Sequence, residues 1–131
     1  MTEIKFRAWD KITKKMYKVS SIHIEDEYVD LFEKNIYEGE FKRKFSEIVL
    51  MQYTGLKDKK GVEIYEGDIV FYNSHVNLTF YIGYEHAVFY AHHTLGRKYM
   101  TPIPIGTLCL SGKIEVIGNK FDNPELLEGD V

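Results

Sequence analysis

The segment Leu50–Tyr72, LMQYTGLKDKKGVEIYEGDIVFY, contains the strongest local structural signals in the chain. Its apolar start gives way to a polar turn at Asp58–Gly61, after which Val62–Tyr65 resumes an extended pattern. Gly61 can adopt a positive φ without steric cost, which is typical of a hairpin loop. Gly67-Asp68 then precedes a second apolar run, and an aspartate in such a position commonly accepts hydrogen bonds from nearby backbone amides. The segment therefore predicts a β-hairpin followed by a further strand.

The length and composition of the chain are those of a small globular protein. Its 131 residues match the usual size of one domain, so we predict a single domain over residues 1–131. Aromatic residues make up 15% of the chain and include ten Tyr and eight Phe. Because aromatic side chains suit the half-buried surface of a pleated sheet, this bias favours strands.

Net charge, cysteine content and hydropathy limit the environment and the partners. The formal net charge is −3, which counts against nucleic-acid binding, since such binding needs Lys and Arg to neutralise phosphates. The single cysteine, Cys109, excludes an intrachain disulfide and fits a reducing compartment. No apolar run approaches the roughly 20 residues that span a membrane, and the N-terminus MTEIKFRAWD lacks the apolar core of a signal peptide. We therefore expect a cytoplasmic protein without membrane association.

Alternating and continuous apolar runs predict a series of short strands. The predicted strands are Ile4–Trp9, Met16–Ile24, Tyr28–Phe32, Glu47–Tyr53, Val62–Tyr65, Ile69–Tyr72, Leu78–Tyr84, Ala87–His92, Thr107–Leu110 and Lys113–Ile117. We expect hairpins between the first and second strands and between the seventh and eighth. Glu33–Ser46 shows no clean period and is left open between a helical turn and an irregular loop. His93–Gly106 contains Pro102 and Pro104, so it is at best an edge of a sheet.

Helix signals are confined to the C-terminal segment. Asn123 is a favourable N-cap, Pro124 suits the first helical position, and Glu125 falls in the first turn. Gly129 would end this helix within about two turns. The whole pattern predicts a mainly antiparallel β protein, folded as a small barrel or a sandwich, with one short C-terminal helical turn.

Three blocks of the sequence are distinctive: FRAWD at Phe6–Asp10, MQYTGLKDKKGVEIYEGDIV at Met51–Val70 and EVIGNKFDNPELL at Glu115–Leu127. Together they resemble the YopX family, small proteins of bacteriophages and prophages. The resemblance implies a mainly β fold in which an additional N-terminal β region precedes a small, SH3-like barrel. It also implies a phage or prophage origin, hence the cytoplasm of a bacterial host, and self-association. It supplies no catalytic residue.

No residue pattern indicates a catalytic, cofactor-binding or metal site. Adjacent His92 and His93 would point to opposite faces of a strand, and Cys109 alone gives no CxxC spacing, so convergent zinc ligands are not expected. Cys109 lies in an apolar run, where a free thiol is usually buried rather than reactive. The isolated serines have no obvious histidine partner. We therefore predict neither enzyme activity nor a cofactor.

Two binding roles are consistent with the sequence. We favour contact with proteins, because uncovered strand edges and aromatic patches often mark interfaces, and we expect a homo-oligomer or a host or phage protein partner. The alternative is nucleic-acid binding by a basic hairpin around Lys57–Lys60, since small barrels can stack bases on aromatic side chains within a basic groove. The basic residues of this alternative are Lys42, Arg43, Lys44, Lys57, Lys59 and Lys60.

Overall fold

The computed structural model describes residues 3–32 and 39–127, which are mainly antiparallel strands, as the sequence predicted. The chain divides into two compact units, Met1–Gln52 and Tyr53–Val131. Each unit has a hydrophobic cluster of its own. The single domain expected from the sequence stays a prediction.

The first unit is a sheet of antiparallel strands. Its strands are β1 (Phe6–Asp10), β2 (Lys15–His23), β3 (Tyr28–Phe32), β4 (Phe41–Lys44) and the first half of β5 (Ile48–Lys57). Their order is β4-β3-β2-β1-β5, and the predicted hairpin between the first two strands is confirmed. Because alternate residues of a strand share a face, one side of the sheet carries the buried cluster. Its buried members are Ala8, Tyr17, Val29, Leu31 and Ile48.

The segment that the sequence left open, Glu33–Ser46, contains β4 and most of a 3₁₀ turn at Phe45–Glu47, while residues 33–38 lie outside the described residues. The β4 sequence FKRK has too few apolar residues to indicate a strand by itself. Pairing with β3 gives it this conformation, with Leu31 opposite Phe41.

The second unit combines a five-stranded sheet with a short strand pair. Its elements are the second half of β5, β6 (Glu63–Tyr65), β7 (Asp68–Tyr72), β8 (Leu78–Glu85), β9 (Val88–His93), β10 (Ile103–Pro104), helix α1 (Ile105–Cys109), β11 (Ile114–Asn119) and a 3₁₀ turn at Pro124–Leu127. β6 pairs with β5, and the other strands follow the order β10-β9-β8-β7-β11. Both predicted hairpins of this unit, β5–β6 and β8–β9, are confirmed. Across residues 53–127 the pairing does not join β10 to β11, so no closed barrel is observed.

The predicted strand at Thr107–Leu110 is wrong, because this segment belongs largely to helix α1. Ile105 and Leu108 are three residues apart, so they share one face of the helix, and both are buried in the core of the second unit. Leu110, just beyond the helix, is 89% exposed. A short apolar run has the same composition in a strand and in a helix, and here burial at helical spacing decided between them. Within the described ranges, no helix has the length and apolar character needed to cross a membrane.

The C-terminal segment is organised by the side chain of Asn123. Asn123 precedes the 3₁₀ turn at Pro124–Leu127, and its Oδ1 accepts a hydrogen bond from the Asn119 N–H at 3.2 Å. A Cβ atom at Gly118 would lie only 2.4 Å from the same oxygen, so the absence of a side chain there makes room for Asn123. Gly129, which the sequence predicted to end a helix, lies outside the described residues.

Asp58 organises the loop between β5 and β6. Its Oδ1 accepts hydrogen bonds from the N–H groups of Lys60 and Val62 at 2.8 and 2.9 Å, and its Oδ2 accepts one from the Val116 N–H of β11 at 2.9 Å. Burial alone would raise the pKa of Asp58, but these three donors together outweigh burial and hold the pKa below its ordinary value. The charged carboxylate is therefore part of the folded structure of this loop.

We expect Asp58→Asn to lower the free energy of unfolding at neutral pH by about 2 kcal/mol, because an amide provides a weaker acceptor and turns a donor toward the Val116 N–H. Since the folded-state pKa of Asp58 is lowered, its stabilising effect is present above the unfolded-state pKa and is lost as the pH falls through the folded-state pKa. Urea denaturation at neutral and acidic pH should show the difference from wild type shrinking in acid. Asp26→Asn, at an exposed turn position, is the matched control. An equal loss of unfolding free energy in both variants would contradict the structural role of the Asp58 carboxylate.

Candidate functional site

A cleft of about 290 Å³ opens beside the β8–β9 hairpin in the second unit. We call it the histidine cleft. It is lined by Tyr81, Glu85, His92, His93, Gly96, Arg97, Met100 and Pro102. The first two residues come from β8, the histidines from β9, and the others from the segment after β9. Ligand pockets commonly measure about 300–1,000 Å³, so this cleft fits a small ligand or one or two side chains of a partner.

The imidazole of His92 lies over a position without a side chain. A Cβ atom at Gly83 would come within 3.0 Å of His92 Nε2 and 3.1 Å of Cδ2, so glycine makes room for the ring. His92 is the cross-strand neighbour of Tyr81, and the two rings stack with centroids 4.9 Å apart and an interplanar angle of 13°. This aromatic pair fixes the orientation of the imidazole.

Glu85 connects the charged groups of the histidine cleft. Its Oε1 lies 3.2 Å from His92 Nε2 and 3.2 Å from an Nη atom of Arg97. Burial lowers the pKa of His92; the Glu85 charge acts in the opposite direction, and the Arg97 charge adds to the lowering. The lowered pKa favours the neutral form of the imidazole. The side chain of Arg97 is 67% exposed, so it is accessible to a bound molecule.

His93 also borders the histidine cleft, but its ring is buried on the core side of β9 beside Phe80. Its Nδ1 accepts a hydrogen bond from the Leu95 N–H at 3.0 Å. Its ring contacts Phe80 of the core and Tyr99, with centroids 5.7 and 4.4 Å away. The adjacent histidines thus have different surroundings. In the part of the chain that the structure describes, no group of three or more His, Cys, Asp or Glu side chains could hold a metal ion.

The first unit brings together a serine, a histidine and an aspartate that the sequence had not connected. Ser21 Oγ donates to Asp30 Oδ2 at 2.6 Å, and His23 Nε2 lies 2.9 Å from that oxygen and 3.1 Å from Ser21 Oγ. In a hydrolase triad the two ring nitrogens of histidine contact different partners. Here one nitrogen faces both groups, so His23 is not placed to activate Ser21 while Asp30 orients it. The hydrogen bonds from Ser21 and His23 lower the pKa of Asp30.

The signal that could have found this cluster is the register of β2 against β3. A turn at Glu25–Glu27 puts His23 opposite Tyr28 and, with an irregularity between Val19 and Ser21, Ser21 opposite Asp30. Individual residue patterns do not contain this pairing.

The six basic residues predicted for nucleic-acid binding are divided between the units. Lys42, Arg43 and Lys44 form part of β4 in the first unit, and Lys57, Lys59 and Lys60 lie at the end of β5 and in the loop that follows it. Lys60 Nζ is 2.6 Å from Glu115 Oε1, and Lys59 Nζ is 3.9 Å from Oε2 of the same residue. The hydrogen bond to Glu115 raises the pKa of Lys60. Glu115 thus offsets part of the charge of this hairpin.

Arg43 binds a carboxylate in the core region of the first unit. Its Nε donates to both oxygens of Asp10, at 3.0 and 3.1 Å, and Asp10 is fully buried. Burial would raise the pKa of Asp10, but the hydrogen bonds from Thr13 and Arg43, with the Ile12 N–H, outweigh it and lower the pKa. Arg43 therefore has a structural partner, whereas Lys42 and Lys44 are exposed.

Asp68 and Cys109 were also weighed in the sequence as candidates for chemistry. Asp68 is buried, and its Oδ2 accepts the Tyr65 N–H at 2.7 Å, which confirms the backbone-capping role. Burial raises the pKa of the Cys109 thiol, and the nearby charge of Asp58 raises it further. A thiol with a raised pKa is protonated at neutral pH and is a poor nucleophile.

Comparison with known proteins relates the chain to a family and to a solved structure. The family model described as YopX protein matches residues 5–128. The crystal structure of protein EF1440 from Enterococcus faecalis is similar, with a TM-score of 0.68 and 29% sequence identity, covering 97% of this chain and 99% of that chain. A search of curated proteins gave no match. The similarity therefore extends over the residues of both units.

We expect Glu85→Gln to lower the pKa of His92 further and Arg97→Gln to raise it, because the carboxylate favours the imidazolium and the guanidinium disfavours it. An NMR titration of the His92 ring resonances measures both changes. Lys98→Gln removes an exposed charge next to Arg97 in the sequence and should leave the pKa nearly unchanged. If Glu85→Gln and Arg97→Gln shift the pKa of His92 in the same direction, the opposite effects of these two charges on His92 are contradicted. Because the folded-state pKa is lowered, protonation of His92 destabilises the fold as the pH falls.

Proposed function

Because the chain belongs to the YopX family, we propose that it is a non-enzymatic interaction protein of a phage or prophage, acting in the cytoplasm of the bacterial host by contact between copies of itself. The observation that carries this proposal is the apolar rim of the histidine cleft. Leu95 and Tyr99 are 48% and 58% exposed, and they flank the cleft-lining residues Gly96 and Arg97 in the sequence. Large apolar side chains beside a recess with a few polar groups are typical of protein interfaces.

The charges of the same surface favour a second copy of this chain as the partner. A two-fold interface brings identical patches together, so the patch has to complement itself. The histidine cleft carries a carboxylate, Glu85, and an accessible guanidinium, Arg97, within 3.2 Å of each other. In a symmetric pair, Arg97 of one copy can bind Glu85 of the other while the apolar rim residues pack together.

The stereochemistry of the polar groups supports binding rather than catalysis. One nitrogen of His23 faces both Ser21 and Asp30, which is not the arrangement that activates a serine. The raised pKa of Cys109 works against a thiolate nucleophile.

For the second unit we retain the small, SH3-like barrel as a proposal. Ile64 of β6 belongs to the same buried cluster as residues of the five-stranded sheet. The Lys59 N–H donates to the Ile114 carbonyl at 3.0 Å, which connects the β5–β6 loop to β11. These contacts support closure of the sheet on the β11 side, as a barrel requires.

Self-association is tested by the double variant Leu95→Ser with Tyr99→Ser. We expect the molar mass of the wild type to increase with concentration. The association constant of the variant should be about tenfold lower or lower still, because large apolar contacts dominate interface energies. Light scattering across a concentration series measures this, and circular dichroism checks folding, since the Tyr99 ring also contacts His93.

The matched control is Val76→Ser, which removes a 61% exposed apolar side chain from the loop between β7 and β8. It should associate like the wild type. A wild type that is strictly monomeric up to millimolar concentration would refute the proposal, and so would an equal weakening by the control.

A further inference from the structure

The outer face of β2, β3 and β4 carries an aromatic and basic surface in the first unit, separate from the residues of the proposed self-association. The strand register arranges it in three rows. The rows are His23, Tyr28 and Lys44; Ser21, Asp30 and Lys42; and Lys18 and Phe32. We call these residues the β2–β4 face. The intervening residues Val29 and Leu31 belong to the buried cluster on the other side of the sheet.

The aromatic part of the β2–β4 face is already arranged for stacking. The rings of His23 and Tyr28 are parallel within 10°, with centroids 4.1 Å apart. Asp30 holds His23 Nε2 at 2.9 Å, which fixes the orientation of the imidazole, and the His23 side chain is 37% exposed. Phe32 adds a ring on the same face of β3, about 13 Å from Tyr28 along the strand. A bound single strand of several nucleotides can therefore reach both rings.

Cations flank these rings on both sides. Lys18, Lys42 and Lys44 are exposed. Lys42 Nζ lies 4.8 Å from the centroid of the Tyr28 ring. A cation–π contact at an exposed site is weaker than the stacking of a base on an aromatic ring, so a base can displace this ammonium. The displaced ammonium then remains close enough to pair with a phosphate.

The acidic groups near this surface limit how a polyanion can lie on it. Asp30 is engaged by Ser21 and His23 within the face. The exposed turn Glu25–Glu27 lies at the end of the face next to Tyr28. A bound strand would therefore run from Tyr28 toward Phe32, away from the acidic turn, and its path beyond Phe32 is limited by the exposed Glu40 that precedes β4.

We propose that the β2–β4 face binds single-stranded nucleic acid, with bases stacked on the His23–Tyr28 pair and on Phe32 and phosphates paired with the lysines. The proposal shares Lys42 and Lys44 with the set predicted from the sequence, but it does not depend on the hairpin around Lys57–Lys60. An acidic peptide would use the same lysines without needing the rings, so the rings distinguish the two partners.

The test is fluorescence anisotropy of the full chain with a labelled single-stranded oligothymidine at several salt concentrations. We expect Tyr28→Leu to weaken binding about tenfold, because base stacking on one aromatic ring is lost. The pair Lys42→Gln with Lys44→Gln should also weaken binding, and it should reduce the slope of log K against log salt by about 1.4, at about 0.7 for each lost phosphate contact. Tyr28→Phe keeps the ring and should restore most of the affinity that Tyr28→Leu loses.

The matched control for charge is Lys14→Gln with Lys15→Gln, two exposed lysines at the turn between β1 and β2. It should leave the affinity and the salt slope nearly unchanged. A duplex of the same length should bind more weakly, since its bases are not free to stack on the rings. The proposal is overturned if the wild type does not bind at low salt, or if Tyr28→Leu binds with full affinity. It is also overturned if the control weakens binding as much as the face variants do, or if polyglutamate competes as well as unlabelled oligothymidine.

Discussion

The second unit depends on one buried carboxylate that satisfies three backbone amides. Asp58 accepts hydrogen bonds from Lys60, Val62 and Val116, two in its own loop and one in β11. Burying a charged group is unfavourable unless its hydrogen-bonding capacity is used, and here the donors come from the elements that the carboxylate joins. Gly61, at φ +83°, lets the loop close around it. The segment that looked richest in charged and flexible residues is therefore an element of the architecture.

The first unit uses buried charge in the same way. Asp10 is fully buried and holds Arg43 and Thr13, so one residue of the basic run on β4 is bound inside the unit. The sequence alone predicted the same nucleic-acid contact for Arg43 and for its neighbours Lys42 and Lys44. The structure separates them, because alternate side chains of a strand point to opposite faces. Only the lysines of this run lie on the outer face.

Sequence periodicity was sufficient for most strands and for their hairpins. Tyr28–Phe32 has the predicted bounds, because its alternation is strong and an acidic turn precedes it. Periodicity failed at Thr107–Leu110, where the burial of Leu108 beside Ile105 produced a helix. It could not find the histidine cleft, because three segments form it and the room for His92 comes from Gly83, a residue without a side chain. Such contacts between segments depend on strand register and on the space left where a side chain is absent, and local sequence patterns do not encode either.

Gly83 also matters for anyone who would use this hairpin as a scaffold for engineered binders. A Cβ atom at this position would come within 3.0 Å of Nε2 of His92, so the residue at position 83 determines how closely the imidazole can approach the strand. Alanine there would require the ring to move by a few tenths of an ångström, and a larger residue would occupy space that the ring now fills. A library that varies the cleft should therefore keep Gly83 and change the lining residues Arg97, Met100 and Pro102.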